Sequence, residues 1–168
     1  IPQNWACRES NKAVSNVASI NRVMKRLLGV EKAVVEGWDF MEEEDKLVVQ
    51  VRVPANGRRQ CSQCHRRSPL YDQGGGRRRW RGLDRGTIPV FLESEAPRVS
   101  CKVHGVVVAA VPWARPGSSF TREFEDQCAW LAVHTSQTAV SKLLRIAWRT
   151  VGRILRSVGD EARSRIDL

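Results

Sequence analysis

The sequence predicts an α+β fold, in which a small β-rich domain precedes a domain of three helices. Residues 33–53 and 87–111 are rich in β-branched residues and are interrupted by turn residues. Two short pairs of cysteine and histidine residues punctuate this β-rich part. After residue 117 the apolar residues recur at helical spacing instead. The length of 168 residues suits one ordinary domain or two small ones.

The composition argues against a disordered chain and against a membrane protein. The hydrophobic fraction is 42%, which is well above the disordered range. No apolar run approaches the roughly 20 residues that cross a bilayer. The N-terminal residues lack the pattern of a secretory signal. The sequence therefore predicts a cytoplasmic protein without a membrane partner, in which cysteines stay reduced and free to bind metal.

The charge balance favours a nucleic-acid partner. The net charge is +10 and the pI is about 10.1, which attracts polyanions. Nine arginines lie between Arg58 and Arg85, where the acidic residues are Asp72 and Asp84 alone. This clustering favours nucleic acid over the alternative of a merely soluble basic surface.

The predicted domain boundaries follow changes in composition. Residues 1–23 form a loose N-terminal extension, and Met24 looks like the natural beginning of a protein. Residues 24–112 form the β-rich domain, residues 118–160 the helical domain and residues 161–168 a tail. Prolines and a glycine in residues 112–117 predict a linker between the domains.

Four strands are predicted, at residues 33–40, 46–53, 87–93 and 98–111. The first two form a hairpin, and the acidic run between them is a solvated turn. Three consecutive glycines at residues 74–76 predict a mobile loop.

Three helices follow the linker. Ser118 or Ser119 can cap the first, and the run from Thr121 to Phe124 also follows the Ser/Thr-then-acid pattern of a helix start. Ser136 or Thr135 can cap the short second helix. The third helix is predicted over residues 148–158.

The pairs Cys61-x2-Cys64 and Cys101-x2-His104 have the ligand spacing of a tetrahedral zinc site. Each pair can present two ligands from a tight turn, and a strand is predicted before each, as in a zinc ribbon. No open water position is needed, so the predicted Zn²⁺ is structural and its site is closed. A domain with so small an apolar core would depend on this metal for folding.

Other interpretations of the cysteines and histidines stay open. The cysteines could be unligated or form a redox Cys-x-x-Cys pair, although a redox pair would normally open a helix. His65 competes with His104, but its position next to Cys64 would strain a small chelate ring. Cys7 lies in the extension and Cys128 on an apolar helix face, so neither is predicted to be a ligand.

Residues 138–155 have the spacing of a helix-turn-helix, with Ile146 at the corner of a three-residue turn. Recognition helices enter the major groove by their N-terminal end. The residues predicted to contact DNA there are Trp148, Arg149, Thr150, Arg153 and Arg156. Arginine can bind the edge of guanine, and threonine can contact phosphate or a thymine methyl group. The alternative is a plain three-helix bundle with an arginine face.

A second basic segment contains Arg77, Arg78, Arg79 and Arg81. We predict that this segment is a loop that follows phosphates or enters a minor groove, with a contribution that falls steeply with salt.

Five stretches, one of which contains the second pair, are specific when taken together with Cys61-x2-Cys64: WRGLD at 80–84, CKVHGV at 101–106, VPWAR at 111–115, FTREFE at 120–125 and WRTV at 148–151. Their order resembles the N-terminal region of the IS-L-three family of bacterial insertion-sequence transposases, over roughly residues 30–158. The resemblance implies a zinc-binding domain, followed by a helix-turn-helix that recognises the terminal inverted repeats of the element. It also implies double-stranded DNA as the partner and a place at the bacterial nucleoid.

In that family a catalytic domain with an Asp-Asp-Glu triad follows, and this chain stops about where that domain would begin. Asp160, Glu161 and Asp167 are predicted to form a helix terminus, not a two-metal site. The predicted function is therefore binding to transposon ends without strand cleavage. The alternatives are a stand-alone regulator that occupies those ends and a zinc module that binds RNA or protein. A homo-oligomer is left open.

Overall fold

A computed structural model describes residues 22–166, in which two β-sheets precede a helical bundle. The strands are β1 (Val34–Met41), β2 (Lys46–Arg52), β3 (Leu70–Asp72), β4 (Arg77–Arg81), β5 (Val90–Glu95), β6 (Arg98–Cys101) and β7 (Gly105–Val108). The four-stranded sheet has the order β1-β2-β5-β4, and β2 runs parallel to β5. The three-stranded sheet is antiparallel, with the order β3-β6-β7. The predicted α+β class is confirmed.

The helical bundle contains α1 (Arg122–His134), α2 (Gln137–Leu144) and α3 (Trp148–Ile166). Residues 22–27 are helical as well. Within the described part of the chain, the helices are too short or too polar to cross a membrane.

The predicted N-terminal hairpin is confirmed. β1 pairs antiparallel with β2, and the exposed turn Glu42–Glu44 connects them. Val49 of β2 pairs with Leu92 of β5, and Leu92 pairs in turn with Trp80 of β4. All three side chains are buried. The four-stranded sheet therefore has an apolar core of its own.

Two strand predictions are wrong. The single strand expected over residues 98–111 is a hairpin of β6 and β7, because the chain reverses at Cys101 and Gly105 adopts a left-handed φ of 67°. The segment Arg77–Arg81 is strand β4 and not a loop, because it pairs along its length with β5. β5 itself begins at Val90, after a turn that pairs Arg85 with Ile88.

The caps of the helices differ in part from the predicted ones. Of the candidates at the start of α1, Thr121 is the cap and Ser118 and Ser119 are not, since the Thr121 Oγ1 accepts a hydrogen bond from the Phe124 N–H at 3.3 Å. Ser118 is used differently, and its hydroxyl donates to Glu125 at 2.6 Å. Ser136 caps α2, as predicted.

Helix α3 continues eight residues beyond the predicted end at 158, to Ile166. Two ion pairs stabilise the additional turns, Asp160 with Arg163 and Glu161 with Arg165. Glycine and aspartate at 159–160 therefore do not stop the helix, because the following side chains support it.

The predicted linker at residues 112–117 is buried at its centre, at residues 113–115. Trp113 packs edge-on against Trp80, with ring centroids 5.7 Å apart, and Ala114 is buried beside it. Arg115 is also buried and donates hydrogen bonds to Glu125, Asp126 and Glu161. The segment therefore joins the sheet core to α1 and α3, and the domain division at residues 112 and 118 stays a prediction.

A second bridge joins the sheet to the helices. Arg145, in the turn after α2, forms an ion pair with Asp84, which lies in the loop before β5. Asp84 also accepts a hydrogen bond from Arg81 at 2.7 Å, and Leu83 packs against the helical core. The helical bundle is thus held on the sheet by two bridges, one through residues 113–115 and one through Asp84 and Arg145.

The ion pairs of Glu161 predict a stability change in acid. Partial burial of Glu161 raises its pKa, but hydrogen bonds from Arg122 and Arg115 outweigh this effect and lower the pKa to about 2. Since the ordinary value is 4.5, we expect this stabilisation to be complete above about pH 4.5 and to be lost as the pH falls towards about 2.

The measurement is the free energy of unfolding of the protein and of Glu161→Gln at pH 7 and pH 3. The advantage of the unchanged protein should shrink at pH 3. Any effect of acid on the cysteine and histidine residues cancels in this comparison, because both proteins contain them. An advantage of equal size at the two pH values would contradict the prediction.

Candidate metal centre and helix-turn-helix

Four side chains from two separate turns converge at one end of the three-stranded sheet. They are Cys61, Cys64, Cys101 and His104, and their donor atoms all lie within 4.8 Å of one another. The Cys61 and Cys101 sulfurs each lie 3.6 Å from His104 Nδ1, and the Cys64 and Cys101 sulfurs lie 3.7 Å apart. Residues as far apart in the sequence as Cys61 and His104, which are separated by 43 positions, therefore meet in this cluster.

These separations fit a tetrahedral ion. With metal–sulfur bonds of about 2.3 Å and metal–nitrogen bonds of about 2.0–2.1 Å, two sulfurs lie about 3.8 Å apart, and a sulfur and a nitrogen about 3.6 Å apart. Cys61 and Cys101 are buried, Cys64 is half-buried and His104 is exposed. The donor set can therefore enclose a metal ion with one ligand at the surface.

The two turns have the same backbone design. Each spans a two-residue gap and is followed by a residue with a left-handed φ, which is 57° at His65 and 67° at Gly105. The N–H of His65 closes the first turn by donating to the Cys61 carbonyl at 2.9 Å. Cys101 ends β6, whereas Cys61 enters its turn through an isolated bridge, so a strand directly precedes the second pair and not the first.

Backbone hydrogen bonds reach all three of these thiols. Backbone N–H groups of His104 and Val103 donate to Cys101 and lower the pKa of its thiol to about 6. The N–H of Gln63 donates to the Cys61 sulfur at 3.4 Å. The pKa of Cys64 is raised, because burial and the neighbouring cysteine thiols outweigh the lowering effect of a backbone hydrogen bond at Arg66. A bound cation would remove this opposition to the thiolate form.

The other cysteines and histidines of the described residues lie outside this cluster. The ring of His65 is exposed, and the backbone turn at this residue separates it from the four donors. Cys128 is buried in the helical core, where burial raises the pKa of its thiol to about 11. His134 is at the surface and stacks on Trp130. Cys7 lies outside the described residues.

The helix-turn-helix spacing of the sequence corresponds to α2, a short turn and α3. Arg145 begins the turn in the left-handed conformation, with φ 53°. Ile146 packs against the helical core, and its carbonyl accepts a hydrogen bond from the Ser141 hydroxyl at 2.7 Å. On α3, Val151 and Ile154 are buried. The turn is therefore held in one conformation by packing and by hydrogen bonds.

The predicted DNA-contacting side chains lie on the solvent side of α3. Trp148 is 58% exposed, so it is not the core residue of the alternative interpretation. Arg149, Arg153 and Arg156 are exposed, and Thr150 is half-buried. Among the described residues, Arg149 and Arg153 have no ion-pair partner. These two guanidinium groups are consequently available to a ligand.

The arginines of β4 are bound within the protein. Arg77 and Arg79 both form ion pairs with Glu93 on β5, at 3.0 and 2.7 Å. Arg81 pairs with Asp84, and Arg78 donates to the carbonyl of Ser118. These contacts stabilise the sheet. That the four arginines contact DNA stays a prediction.

Sequence reasoning did not identify the basic residues around the first cysteine pair as a separate group. Arg58, Arg59, Arg66 and Arg67 are all exposed. The signal that could have found them is the absence of aspartate and glutamate from residues 46–71, which was hidden by counting arginines as far as residue 85. Whether these arginines have acidic partners depends on the tertiary structure, in which the carboxylates of Glu93 and Asp72 bind other arginines.

Comparison with known proteins gives two family matches. Residues 57–104 match the zinc-finger of transposase IS204/IS1001/IS1096/IS1165, and residues 109–159 match the helix-turn-helix domain of transposase family ISL3. The first match contains all four converging side chains, and the second contains α1, α2 and most of α3.

Two curated relatives are both named transposase for insertion sequence element IS1557. They come from Mycobacterium tuberculosis strains CDC 1551 / Oshkosh and ATCC 25618 / H37Rv, and each is 48% identical over 151 residues. The match covers 87% of this chain and 34% of each relative, so the chain spans about a third of the length of these relatives. No solved structure matches the chain.

Proposed function

Because this chain belongs to the ISL3 transposase family, we propose that it binds the terminal inverted repeats of a transposon through α3. A helix-turn-helix domain of a transposase implies DNA binding. The finer statement, that duplex ends are read in a sequence-specific manner, is the proposal. It includes a place at the nucleoid of the cytoplasm, where the chromosomal DNA lies.

This proposal rests on the solvent-exposed face of the N-terminal half of α3. Arg149 and Arg153 lie one helical turn apart, are exposed and have no carboxylate partner among the described residues. Trp148 presents an exposed apolar ring at the first position of the helix. Such an end can place guanidinium groups at guanine O6 and N7 and an apolar group at a thymine methyl.

We further propose that the converging cysteines and histidine hold one structural Zn²⁺. Three sulfurs and one imidazole nitrogen are a donor set that zinc prefers, and the three separations of 3.6–3.7 Å match those around a tetrahedral ion. When bound, the ion would cross-link the two turns and perform no chemistry. The four protein donors leave no position for a reacting water.

We assign no strand cleavage to the described residues. Asp160 and Glu161 are both ion-paired with arginines, and Glu161 has three such partners. Carboxylates engaged in this way do not form an open divalent-metal site. The activity named in the curated relatives is a property of longer proteins, of which the match covers 34%.

The test of the proposed function is selection of binding sites from random duplexes, followed by affinity measurements with Arg149→Ala/Arg153→Ala. Each bidentate guanine contact contributes about 1–3 kcal/mol. We therefore expect this double variant to lose at least about tenfold in affinity for the selected site and to discriminate less against other duplexes.

The matched control is Arg163→Ala/Arg165→Ala, which removes the same charge from the exposed C-terminal end of α3. It should keep the preference for the selected sequence. If both double variants bound the selected site equally well, the assignment of α3 as the recognition helix would be wrong. If no duplex sequence were selected, specific end binding itself would be wrong.

A further inference from the structure

The two metal-binding turns lie in stretches of the chain that contain no acidic residue. Residues 46–71 surround the first turn and residues 96–122 the second, and neither range contains aspartate or glutamate. Since both turns converge on the same four donor atoms, their positive charges are brought to one end of the molecule.

Five of these basic side chains are exposed and have no ion pair among the described residues; one of them, Arg58, donates a hydrogen bond to the Val53 carbonyl, and the other four make no side-chain hydrogen bond there. These four are Arg59, Arg66, Arg67 and Lys102, which we call the knuckle tip. Other surface arginines of the β-rich part have partners: Arg52 pairs with Glu36 at 2.8 Å, and Arg98 pairs with Asp72. The knuckle tip is therefore a source of positive charge that the protein does not neutralise itself.

The backbone holds the knuckle tip together. The Ser68 N–H donates to the Arg59 carbonyl, and the Cys61 N–H donates to the Arg66 carbonyl, both at 2.9 Å. Arg67 pairs with Gln60 in an isolated bridge across the same turn. Lys102 lies within the second turn, next to Cys101. The arginines on both sides of the first turn and the lysine of the second turn therefore lie around the same cluster of four donor atoms.

The first turn borders the region that anchors the far end of α3. His65 lines a cleft together with Arg115 and Arg122, and both arginines bind Glu161 of α3. Glu161 lies 13 residues after Trp148 on this helix, which corresponds to about 20 Å at 1.5 Å per residue. Trp148 and Glu161 are therefore separated along α3 by a little more than half of the roughly 34 Å helical repeat of duplex DNA.

We propose that the knuckle tip is a second DNA contact, which binds backbone phosphates of the duplex that flanks the site bound by α3. This inference rests on the proposed function of α3. The contact is made by guanidinium and ammonium groups on phosphates, so it increases affinity and orients the protein without selecting a base sequence. The metal centre contributes by holding the two halves of this surface together.

The test compares Arg59→Ala/Arg66→Ala/Arg67→Ala with the unchanged protein on the selected duplex over a range of salt concentrations. The slope of log affinity against log salt is about −0.9 for each phosphate neutralised. Removal of three contacts should make the slope shallower by about 2.7. The unchanged protein should then lose about 40-fold more affinity than the variant between 50 and 200 mM salt. The ratio of affinities for selected and random duplexes should stay the same.

The matched control, Arg52→Ala/Arg98→Ala/Arg163→Ala, also removes three positive charges at the surface, but each of these arginines has an acidic partner in the protein. It should keep the original slope. Metal content and a hydroxyl-radical footprint are measured on the same samples, and the knuckle variant should lose backbone protection beside the α3 site while it keeps its metal.

Equal slopes for the unchanged protein and the knuckle variant would overturn the second contact and leave the role of α3 standing. Equal changes in the two triple variants would also overturn it, since net charge alone would then explain the effect. A slope unchanged on duplex but reduced on single-stranded RNA would assign the knuckle tip to RNA instead. Failure of the unchanged protein to select any duplex would overturn both proposals.

Discussion

Removal of the metal is expected to unfold the three-stranded sheet and its two turns and to leave the four-stranded sheet folded. The three-stranded sheet has little apolar packing of its own: its buried apolar side chains are mainly Val99 and the proposed ligands Cys61 and Cys101. A structural zinc ion contributes about 10–16 kcal/mol of apparent binding free energy, which such a small sheet cannot replace. The four-stranded sheet, in contrast, buries a separate core around Trp80, Leu92 and Trp113.

Hydrogen exchange after treatment with a chelator measures this effect. Amide protection should be lost over residues 57–72 and 97–110 and retained in β1, β2 and β5. Cys101→Ser should give the same local loss and less than one zinc per chain. Cys128→Ala is the control, because it removes a buried sulfur from the helical core and should keep the zinc. Unchanged protection of the turns in metal-free protein would contradict a folding role for the ion.

Replacement of Arg115 by methionine should destabilise the protein by about 3–5 kcal/mol. The Arg115 side chain is 7% exposed and forms ion pairs with Glu125, Asp126 and Glu161 at 2.5–2.9 Å. Burial opposes the charged form of Arg115, but these three carboxylates outweigh it and raise its pKa. Loss of the guanidinium would leave the Glu125 carboxylate, whose side chain is 4% exposed, buried without a cation.

The free energy of unfolding in urea is the measurement for this substitution. Arg163→Ala serves as the control, since it breaks an exposed pair and should cost at most about 1 kcal/mol. Addition of Glu125→Gln to Arg115→Met should recover part of the loss, because it removes the orphaned charge. A loss below about 1 kcal/mol for Arg115→Met, or no recovery in the double variant, would show that the buried ion pairs are not what joins the sheet to the helices.

Local patterns explain why much of the fold could be predicted. Alternation in β2, the acidic turn before it and the helical period after residue 117 depend on residues close in sequence. The prediction of a strand over 98–111 failed because the alternation of apolar and polar residues continues as far as Val103, into a turn that Cys101 and Gly105 impose. Helix α3 extends beyond its predicted end at residue 158 because its last turns are stabilised in part by arginines distant in sequence, Arg115 and Arg122.

The candidate site divides in the same way. The sequence by itself determined the two pairs of metal-ligand residue types, the helix-turn-helix spacing and the order of the two parts, because these properties belong to short segments. Only the tertiary structure decided that the two pairs converge, that Arg77 and Arg79 are bound by Glu93, and that residues 113–115 are buried. Whether a charged side chain is free for a ligand depends on which distant carboxylate lies beside it, and that is a property of the folded chain.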